Sequence, residues 1–350
     1  MKYHKKNNSP LPTLFSLLLA TALIFGGCSG GSEQGANGGD QNSEVSVAFV
    51  TNMVADFWNI AKAGCRDAEK DLGIKVEVKM PPEATVVKQK QIVEDLVSSG
   101  ISAIAISPLD ADNQVAWLDS IATKVPLITH DSDAPGSKRL CYIGMDNYKA
   151  GRMCGELVKE ALPDGGAIML FIGRLEQDNS KHRRQGVIDE LLGRPKPESL
   201  DKIEYDPLGD PIKGEKYEIL DTLTDQGKPE AAKQKAEDSI NAFPQMKAMV
   251  GLFEYNPPAC YQALKQAGKL GQIKLIGFDE NDVTLQGIKD GTVTGTVVQN
   301  PYEYGYQSVK VLKDILEKKE TKGFIDIPPR KITKQNVDEY WADLKAKKAG

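Results

Sequence analysis

Short runs of β-branched residues alternate with longer amphipathic stretches through most of the chain. Residues 45–50 form the first apolar run, and residues 57–72 repeat apolar or small side chains at helical spacing before Gly73. A left-handed glycine commonly ends a helix, and strands that alternate with amphipathic helices are typical of βαβ units. The pattern predicts an α/β fold with two Rossmann-like lobes, each a doubly wound parallel sheet with helices on both faces.

The same rhythm continues to residue 335. Further strands are predicted near residues 76–79, 101–106, 127–129, 141–144, 167–171, 217–223, 249–252, 275–278 and 294–298. Helices are predicted at residues 86–99, 112–123 and 148–162, and a final packed helix at 337–346 is expected to precede a solvated basic tail. Residues 193–215 contain four prolines and are too long for a simple loop, so they are predicted to be an insertion in the second half.

The first 27 residues have the layout of a signal peptide. Lys2, Lys5 and Lys6 precede a stretch over residues 14–25 that is apolar except for Ser16 and Thr21 and is followed by Gly26 and Gly27. A stretch of about 12 residues is too short for a helix that must span roughly 20 residues of bilayer. The sequence therefore predicts export and argues against a permanent membrane span at this place.

Residues 25–28, Phe-Gly-Gly-Cys, resemble the bacterial lipobox. The resemblance implies that Cys28 is lipidated and becomes the mature N-terminus, which would anchor the protein to a membrane. Residues 28–44 are rich in Gly, Ser and Asn and cannot bury enough apolar surface to fold, so they are predicted to be a tether. Its typical reach is on the order of 22 Å. An ordinary secretory signal with an incidental cysteine is the alternative.

Length, charge and cysteine content limit the possible functions. The roughly 300 residues after the tether exceed one hydrophobic core and favour two domains. The net charge of -5 and the absence of a Lys/Arg cluster argue against a nucleic-acid partner. Cys65, Cys141, Cys154 and Cys260 lack the spacing of metal ligands, so no metal or cofactor is expected. Free, buried thiols are favoured over disulfides.

Polar and aromatic residues follow the predicted strands. In doubly wound sheets, ligands bind outside the carboxyl ends of the strands, so these residues are candidates for a binding site. The ligand-binding residues predicted in this way are Thr51, Asn52, Phe57, Trp58, Asp131, Asn147, Asn256, Asp279 and Gln299.

This set matches the chemistry of a sugar. Adjacent sugar hydroxyls donate and accept hydrogen bonds together, and planar carboxylates and amides can engage two of them at once. The C–H faces of the ring are apolar and suit an aromatic side chain such as Phe57 or Trp58. The sequence therefore predicts a site for a monosaccharide or related polyol.

Residues 45–335 resemble the ribose-binding protein family, the type I periplasmic solute receptors. The resemblance rests on Asp56-Phe57-Trp58, Ile128-Thr129-His130-Asp131, Met145-Asp146-Asn147 with Gly151, Asn256, Gly277-Phe278-Asp279 and Gln299, in that order. It implies ligand capture between two lobes joined by three crossovers, closure by a hinge, and delivery to the permease of an ABC transporter. Lobe one would comprise residues 45–146 and 300–324, and lobe two residues 147–299 and 325–335, in a monomeric protein.

The sequence departs from the family pattern at positively charged positions. The family commonly carries Arg directly after the ligand aspartate, where this chain has Ser132. A second family Arg is replaced by Lys181, unless Arg183 or Arg184 takes its place, and Gly227 or Lys228 stands where the family has an aromatic residue, which leaves Asp225 as a polar candidate nearby. The resemblance therefore adds Lys181 and Asp225 to the predicted ligand-binding set. The resemblance therefore predicts a sugar as the ligand, and because of these departures it does not predict ribose in particular.

Several candidates have structural alternatives. Asp279 is also a typical turn residue and Asn147 a typical helix N-cap. Phe57 and Trp58 can also pack in a core. His130 is expected to be a packing residue at a strand end and His182 to be exposed.

The sequence gives less support to functions other than capture of a sugar. The chain has no GxSxG, HExxH or GxxxxGK[ST] motif, and Asp131 and Asp133 need not converge as a glycosidase pair, so an enzyme is not expected. A sensor that docks on a membrane signalling receptor and a binder of a non-sugar such as a nucleoside stay open as alternatives.

Overall fold

The computed structural model describes residues 45–349. Within them the strands are β1 Ser46–Val50, β2 Lys75–Lys79, β3 Ala103–Ile106, β4 Leu127–His130, β5 Tyr142–Gly144, β6 Gly166–Ile172, β7 Ile212–Lys213, β8 Tyr217–Thr224, β9 Met246–Gly251, β10 Lys274–Phe278, β11 Gly295–Val298, β12 Phe324–Asp326 and β13 Arg330–Ile332. The α-helices are α1 Asp56–Leu72, α2 Val86–Ser98, α3 Val115–Ala122, α4 Asn147–Ala161, α5 Asp178–Leu191, α6 Pro229–Ala242, α7 Asn256–Gln266, α8 Asp282–Asp290, α9 Pro301–Leu316 and α10 Val337–Ala349.

The strands form two sheets, and each sheet is the centre of one lobe. The first lobe has the strand order β12-β5-β4-β3-β1-β2, with every pair parallel. The second has the order β13-β11-β10-β9-β6-β8-β7, in which only the edge strands β13 and β7 pair antiparallel among the described residues. The chain passes between the sheets three times, after β5, after β11 and after β12. The predicted boundary between residues 324 and 325 falls inside β12.

Both faces of each sheet are covered by helices. In β1, Val47 and Phe49 belong to an apolar cluster with residues of α1 and α9, whereas Ala48 and Val50 belong to a second cluster with residues of α2 and α3. Successive side chains of a strand point to opposite faces, so this division shows that β1 is buried on both sides. The doubly wound α/β fold is confirmed.

The helix α1 illustrates how the local sequence produces the local structure. Its predicted apolar face, from Ile60 to Ala68, is buried, and Gly73 ends the helix in a left-handed conformation with φ 63°. At Gly64 a Cβ atom would lie 2.0 Å from the carbonyl oxygen of Tyr302, so only glycine lets α9 approach this closely.

The predicted helix at residues 112–123 begins later, at Val115. The Gln114 side chain accepts hydrogen bonds from the backbone N–H groups of Leu109 and Asp110, and the Asp110 carboxylate accepts one from that of Asn113. These bonds stabilise a turn in place of the first helical turn.

The insertion at residues 193–215 is ordered by contacts with the second lobe. Its strand β7 extends the sheet beside β8. Arg184 of α5 donates hydrogen bonds to the carbonyl oxygens of Asp206 and Pro207, at 2.7 and 2.9 Å, and Arg194 forms an ion pair with Asp206. The insertion is therefore part of the lobe surface.

The described residues include four cysteines and ten α-helices, whose properties bear on disulfides and on membrane spanning. Cys65, Cys141, Cys154 and Cys260 are buried and form no disulfide, as predicted. Between residues 45 and 349, no helix combines the length and apolar character that a membrane span needs. The predicted signal peptide, Cys28 and the tether lie outside the described residues.

Candidate ligand-binding site between the lobes

A cavity lies between the carboxyl edges of the two sheets. It contains about 360 Å³ of empty space, part of which is open to solvent. It is lined by Asn52, Met53, Ala55, Phe57, Trp58 and Asp131 of the first lobe, by Asn179, Arg183, Phe253, Glu254, Tyr255 and Asp279 of the second, and by Gln299 at a crossover. Six of the eleven predicted ligand-binding residues are in this lining, and they come from both lobes.

The lobes also contact each other around the cavity. The Lys181 ammonium lies 2.7 Å from the Asp112 carboxylate, and the backbone N–H of Ala111 donates to the carbonyl oxygen of Glu176 at 3.0 Å. Each contact joins a residue of the first lobe to one of the second. The lobes are therefore in contact on both sides of these bonds, and the structure is a closed conformation.

Two aspartates face each other from equivalent places in the lobes. Asp131 directly follows β4 and Asp279 directly follows β10, and both adopt left-handed backbone conformations, with φ 58° and 62°. Asp tolerates this region better than most residues. The N–H groups of these aspartates donate to the carbonyl oxygens of Ile143 and Val297. The same backbone turn thus aims one carboxylate into the cavity from each lobe.

The Asp131 carboxylate is fixed by groups from both lobes. It accepts a 3.0 Å hydrogen bond from Ser107 Oγ and a 3.4 Å bond from Asn179 Nδ2, and Arg183 Nη2 lies 3.8 Å away. Burial raises the pKa of Asp131, whereas Arg183 and these hydrogen bonds lower it in part. The Ser107 hydroxyl also accepts a bond from Asn52, which in turn accepts one from the Trp58 indole N–H at 3.0 Å.

Arg183 is the cation that lines the cavity. Its guanidinium stacks 4.3 Å from the centroid of the Phe278 ring and donates to Asn147 Oδ1 and to the carbonyl oxygen of Leu252. Its Nη2 atom is buried without a hydrogen-bond partner among the described residues. A buried donor of this kind is costly to leave unpaired, so Nη2 is suited to an oxygen atom of a ligand.

Close packing of α4 against α5 determines the position of Arg183. A Cβ atom at Gly151 of α4 would lie 2.2 Å from the Arg183 carbonyl oxygen, and one at Gly186 of α5 would lie 2.2 Å from that of Tyr148. Both positions therefore need glycine if the helices are to approach this closely. Gly151, which belongs to the motif that resembles the sugar receptors, thus acts on the site through the helix that carries Arg183.

On the second lobe, Asp279 is joined to the crossover residue Gln299. The Gln299 amide donates to Asp279 Oδ1 at 2.8 Å and accepts from the Tyr304 hydroxyl at 3.0 Å. Burial raises the pKa of Asp279 to about 7, against the lowering effect of Arg183 and Gln299. Glu254 is also in the lining, and burial raises its pKa to about 7.

Aromatic side chains close two sides of the cavity. Phe57 and Trp58 pack edge to face in the first lobe, with centroids 4.8 Å apart, and Phe253 and Tyr255 do so in the second, at 6.1 Å. Phe57 and Trp58 also belong to the core of the first lobe. The two alternatives for these residues are therefore both realised, because each ring has a core side and a cavity side.

Four predicted residues, Thr51, Asn147, Asp225 and Asn256, lie behind the lining instead of in it. Thr51 Oγ1 donates a hydrogen bond to the Met53 carbonyl oxygen, and Asn147 Oδ1 accepts one from Arg183 Nε. The N-cap of α4 is Asp146 and not Asn147. Asp225 accepts from the Tyr255 hydroxyl at 2.6 Å and from Asn256 Nδ2 at 2.8 Å. These residues orient the lining. Burial raises the pKa of Asp225 to about 6.

Lys181 also lies outside the lining. Its side chain points away from the cavity to the ion pair with Asp112, and Arg183, two residues further along α5, lines the cavity instead. His182, expected to be exposed, is buried against Tyr205 and lies 3.3 Å from Asp178. His130 is a packing residue as expected, stacked on Phe49. Burial lowers its pKa to about 3.

Asn179, Glu254 and Ser107 contribute to the site but are absent from the predicted set. Ser107 directly follows β3 and Glu254 lies three residues after β9, so their positions after strands are a signal in the sequence for both. Asn179 is the second residue of α5, and its role depends on how that helix is rotated. No cluster of His, Cys, Asp and Glu suited to a metal ion occurs between residues 45 and 349.

Comparison with known proteins places this architecture in a family. Residues 47–320 match the family described as periplasmic binding protein domain. The chain belongs to this family. It is 27% identical over 332 residues to the ribose import binding protein RbsB of Bacillus subtilis (strain 168), covering 93% of this chain and 97% of that protein. It is 24% identical to the D-allose-binding periplasmic protein of Escherichia coli (strain K12), covering 78% and 84%.

Solved structures of solute binding proteins have the same fold as this chain. A carbohydrate transporter solute binding protein from Agrobacterium radiobacter, in complex with D-arabinose, matches with a TM-score of 0.76 and 25% identity, covering 87% of this chain and 99% of that one. A solute binding protein from Burkholderia graminis C4D1M, also in complex with D-arabinose, matches with a TM-score of 0.75. The predicted two-lobed, type I periplasmic binding protein fold is confirmed.

Proposed function

We propose that the chain captures one monosaccharide or related polyol between its lobes and delivers it to the permease of an ABC transporter. The observation that carries the proposal is the pair of buried carboxylates, Asp131 and Asp279, that enter one cavity from opposite lobes. Relatives named for ribose and allose binding support the same ligand class.

The cavity offers the groups that a sugar needs. Asp131 and Asp279 accept hydrogen bonds from ligand hydroxyls, while Arg183 Nη2 and the amide groups of the lining donate to ligand oxygens. Hydrogen bonds to charged groups contribute about 1.5–3 kcal/mol each. Trp58 presents an aromatic surface to a C–H face of the ring. A ligand of roughly ten heavy atoms can reach the about 8 kcal/mol that micromolar affinity requires.

Closure is part of the proposed mechanism. A ligand held by Asp131 and Asp279 bridges the lobes, so it binds the closed conformation more tightly than the open one and shifts the population toward closure. Residues 45–146 and 300–326, which include the whole of β12, would move as lobe one against residues 147–299 and 327–335. No bond of the ligand is made or broken, in agreement with relatives that are binding proteins and not enzymes.

The proposed location is outside the cytoplasmic membrane, and the family's periplasmic binding proteins support export. Residues 1–27 would act as the signal peptide, Cys28 would carry the lipid, and residues 28–44 would tether a monomeric receptor. Metabolic labelling with a fatty acid tests this part, with Cys28→Ala as the control variant. Label on the wild-type chain alone supports the anchor, and equal absence of label from both chains contradicts it.

Calorimetric titration of residues 45–350 tests the ligand class. The ligands are D-ribose, D-allose, D-arabinose, a hexose, xylitol and a nucleoside, each added to the same protein preparation. We expect one-to-one binding of at least one sugar or polyol with a dissociation constant in the micromolar range or below. Binding of the nucleoside with no heat from any sugar or polyol would overturn the sugar assignment.

A further inference from the structure

The C-terminal helix α10 follows the last strand and lies on both lobes. Its first half is attached to the second lobe. The Trp341 indole N–H donates to Asp282 Oδ1 at 2.9 Å, Lys289 pairs with Asp338, and the Arg330 guanidinium lies 5.2 Å from the Tyr340 ring centroid. Asp282 and Lys289 are both in α8, so this half of α10 and α8 form one surface.

The second half of α10 reaches the first lobe. The Lys347 ammonium lies 5.5 Å from the ring centroid of Tyr302 in α9, and Lys348 borders a surface depression formed by α1. Leu344 is buried in the same apolar cluster as Ile60 of α1. The basic end of the chain, expected from the sequence to be a solvated tail, therefore contacts the lobe opposite the one to which α10 is connected.

The helix also touches the loop that carries a cavity carboxylate. This loop, residues 279–282, begins with Asp279 in the cavity and ends with Asp282 on the Trp341 indole. Between them, Asn281 donates to Glu254, another residue of the lining. The α10 helix therefore contacts this loop at the end that lies away from the cavity.

Glu280, in the middle of the loop, has an unusual environment. Its side chain is buried, and neither carboxyl oxygen forms a well-aligned hydrogen bond among the described residues, although the Tyr340 side chain faces the carboxyl group. Burial and the neighbouring Asp279 raise the pKa of Glu280 well above its usual range, and the contact with Tyr340 partly opposes this rise. A buried carboxyl with so little hydrogen bonding is costly, so the loop keeps this conformation only while the surrounding structure holds it. Tyr340 of α10 is part of that surrounding structure.

We propose that α10 is a latch: its second half holds the lobes closed, and its first half positions the Asp279 loop for the ligand. The idea rests on the proposed function, since it assigns a role in ligand retention to a helix outside the cavity. Opening the lobes requires the second half of α10 to leave either α1 and α9 or its own lobe. The latch therefore slows ligand release, and Tyr340 and Trp341 are positioning residues for Asp279.

The test compares residues 45–350 with a chain that ends at Ala342. The shorter chain keeps Val337, Tyr340 and Trp341 on the second lobe and loses the segment that contacts the first. Stopped-flow measurements use whichever of D-ribose, D-allose and D-arabinose binds most tightly. We expect the rate constant of dissociation to rise at least fivefold while that of association does not fall. Leu344→Ala in the full chain should change the dissociation rate in the same direction, whereas Ala346→Ser, at an exposed position of the same helix, should not.

A second readout needs no ligand. Dyes on Val87→Cys and Glu230→Cys, at exposed positions of α2 and α6, report the distance between the lobes, because the native cysteines of the segment are buried. We expect a longer distance in the ligand-free shorter chain than in the ligand-free full chain. Equal distances and equal dissociation rates would overturn the latch and leave sugar capture intact. A longer distance in a protein that binds none of the sugars would support the latch as a closing device and count against the proposed function.

Discussion

Replacement of Asp131 by asparagine removes one charge from the cavity while the shape of the side chain is kept. In the folded protein this carboxylate accepts bonds from Ser107 and Asn179 and lies 3.8 Å from Arg183. The asparagine amide presents one acceptor and one donor where the carboxylate presented two acceptors. A ligand hydroxyl that donated to the carboxylate must then turn or meet an N–H group.

The expected loss follows from the burial of Asp131, which is 4% exposed. A hydrogen bond to a charged acceptor contributes about 1.5–3 kcal/mol, and each 1.4 kcal/mol corresponds to a factor of ten in affinity. We therefore expect Asp131→Asn to weaken sugar binding about 10- to 100-fold, and Asp131→Ala to cost at least about 2 kcal/mol. Folding should suffer less, since the substitution also removes the cost of burying a charge.

Calorimetry of the wild type and the asparagine variant measures this loss, and thermal unfolding of each without ligand checks the fold. Asp133→Asn is the matched control, because Asp133 is buried two residues away but is held by Arg139 and Thr129 outside the cavity. We expect that control to bind the sugar with nearly wild-type affinity in whatever fraction remains folded. An Asp131→Asn protein that is folded and binds within twofold of the wild type would refute the role assigned to the carboxylate.

Three further predictions concern packing, pH and the aromatic wall. Gly151→Ala should lower the free energy of unfolding by about 1–3 kcal/mol, because its methyl group would meet the backbone of α5; denaturant unfolding measures this, with Gly323→Ala, which has open space, as the control. Folding raises the pKa of Glu254 from 4.5 to about 7, so the folded state binds more protons in that window and stability should fall as pH rises through it. Glu254→Gln should flatten that slope in ligand-free protein, and an unchanged slope would contradict the assignment. Trp58→Phe should weaken sugar binding by about 1 kcal/mol, because the hydrogen bond from the indole N–H to Asn52 Oδ1 is lost. Trp117→Phe, outside the cavity, should leave the affinity for the sugar unchanged.

The sequence predicted those parts of the site that depend on position after a strand. Asp131 and Asp279 follow strands of parallel sheets, so the topology alone brings them to the same edge of their lobes and into one cavity. The order of strands and helices could also be predicted. A strand that is buried on both faces, such as β1, forms a continuous apolar run that can be recognised in the sequence.

Residues on helices were harder to predict, because position along a helix does not determine which face meets the cavity. Lys181 and Arg183 are two residues apart in α5 and point to different places, one to Asp112 and the other to the lining. Their directions depend on the contact between Gly151 and Gly186, which is a property of the packed helices. Position after a strand is not sufficient either: Asp225 directly follows β8, yet its carboxylate bonds to Asn256 and Tyr255 behind the lining, which only the fold shows.

The most direct test of sugar capture is a crystal structure of residues 45–350 grown with the sugar that calorimetry identifies as the tightest ligand. The account predicts one sugar ring in the cavity between the lobes, with its oxygen atoms within hydrogen-bond distance of the carboxylates of Asp131 and Asp279 and of Arg183 Nη2. A sugar bound elsewhere on the protein, or held by one lobe without contact to the other aspartate, would contradict it.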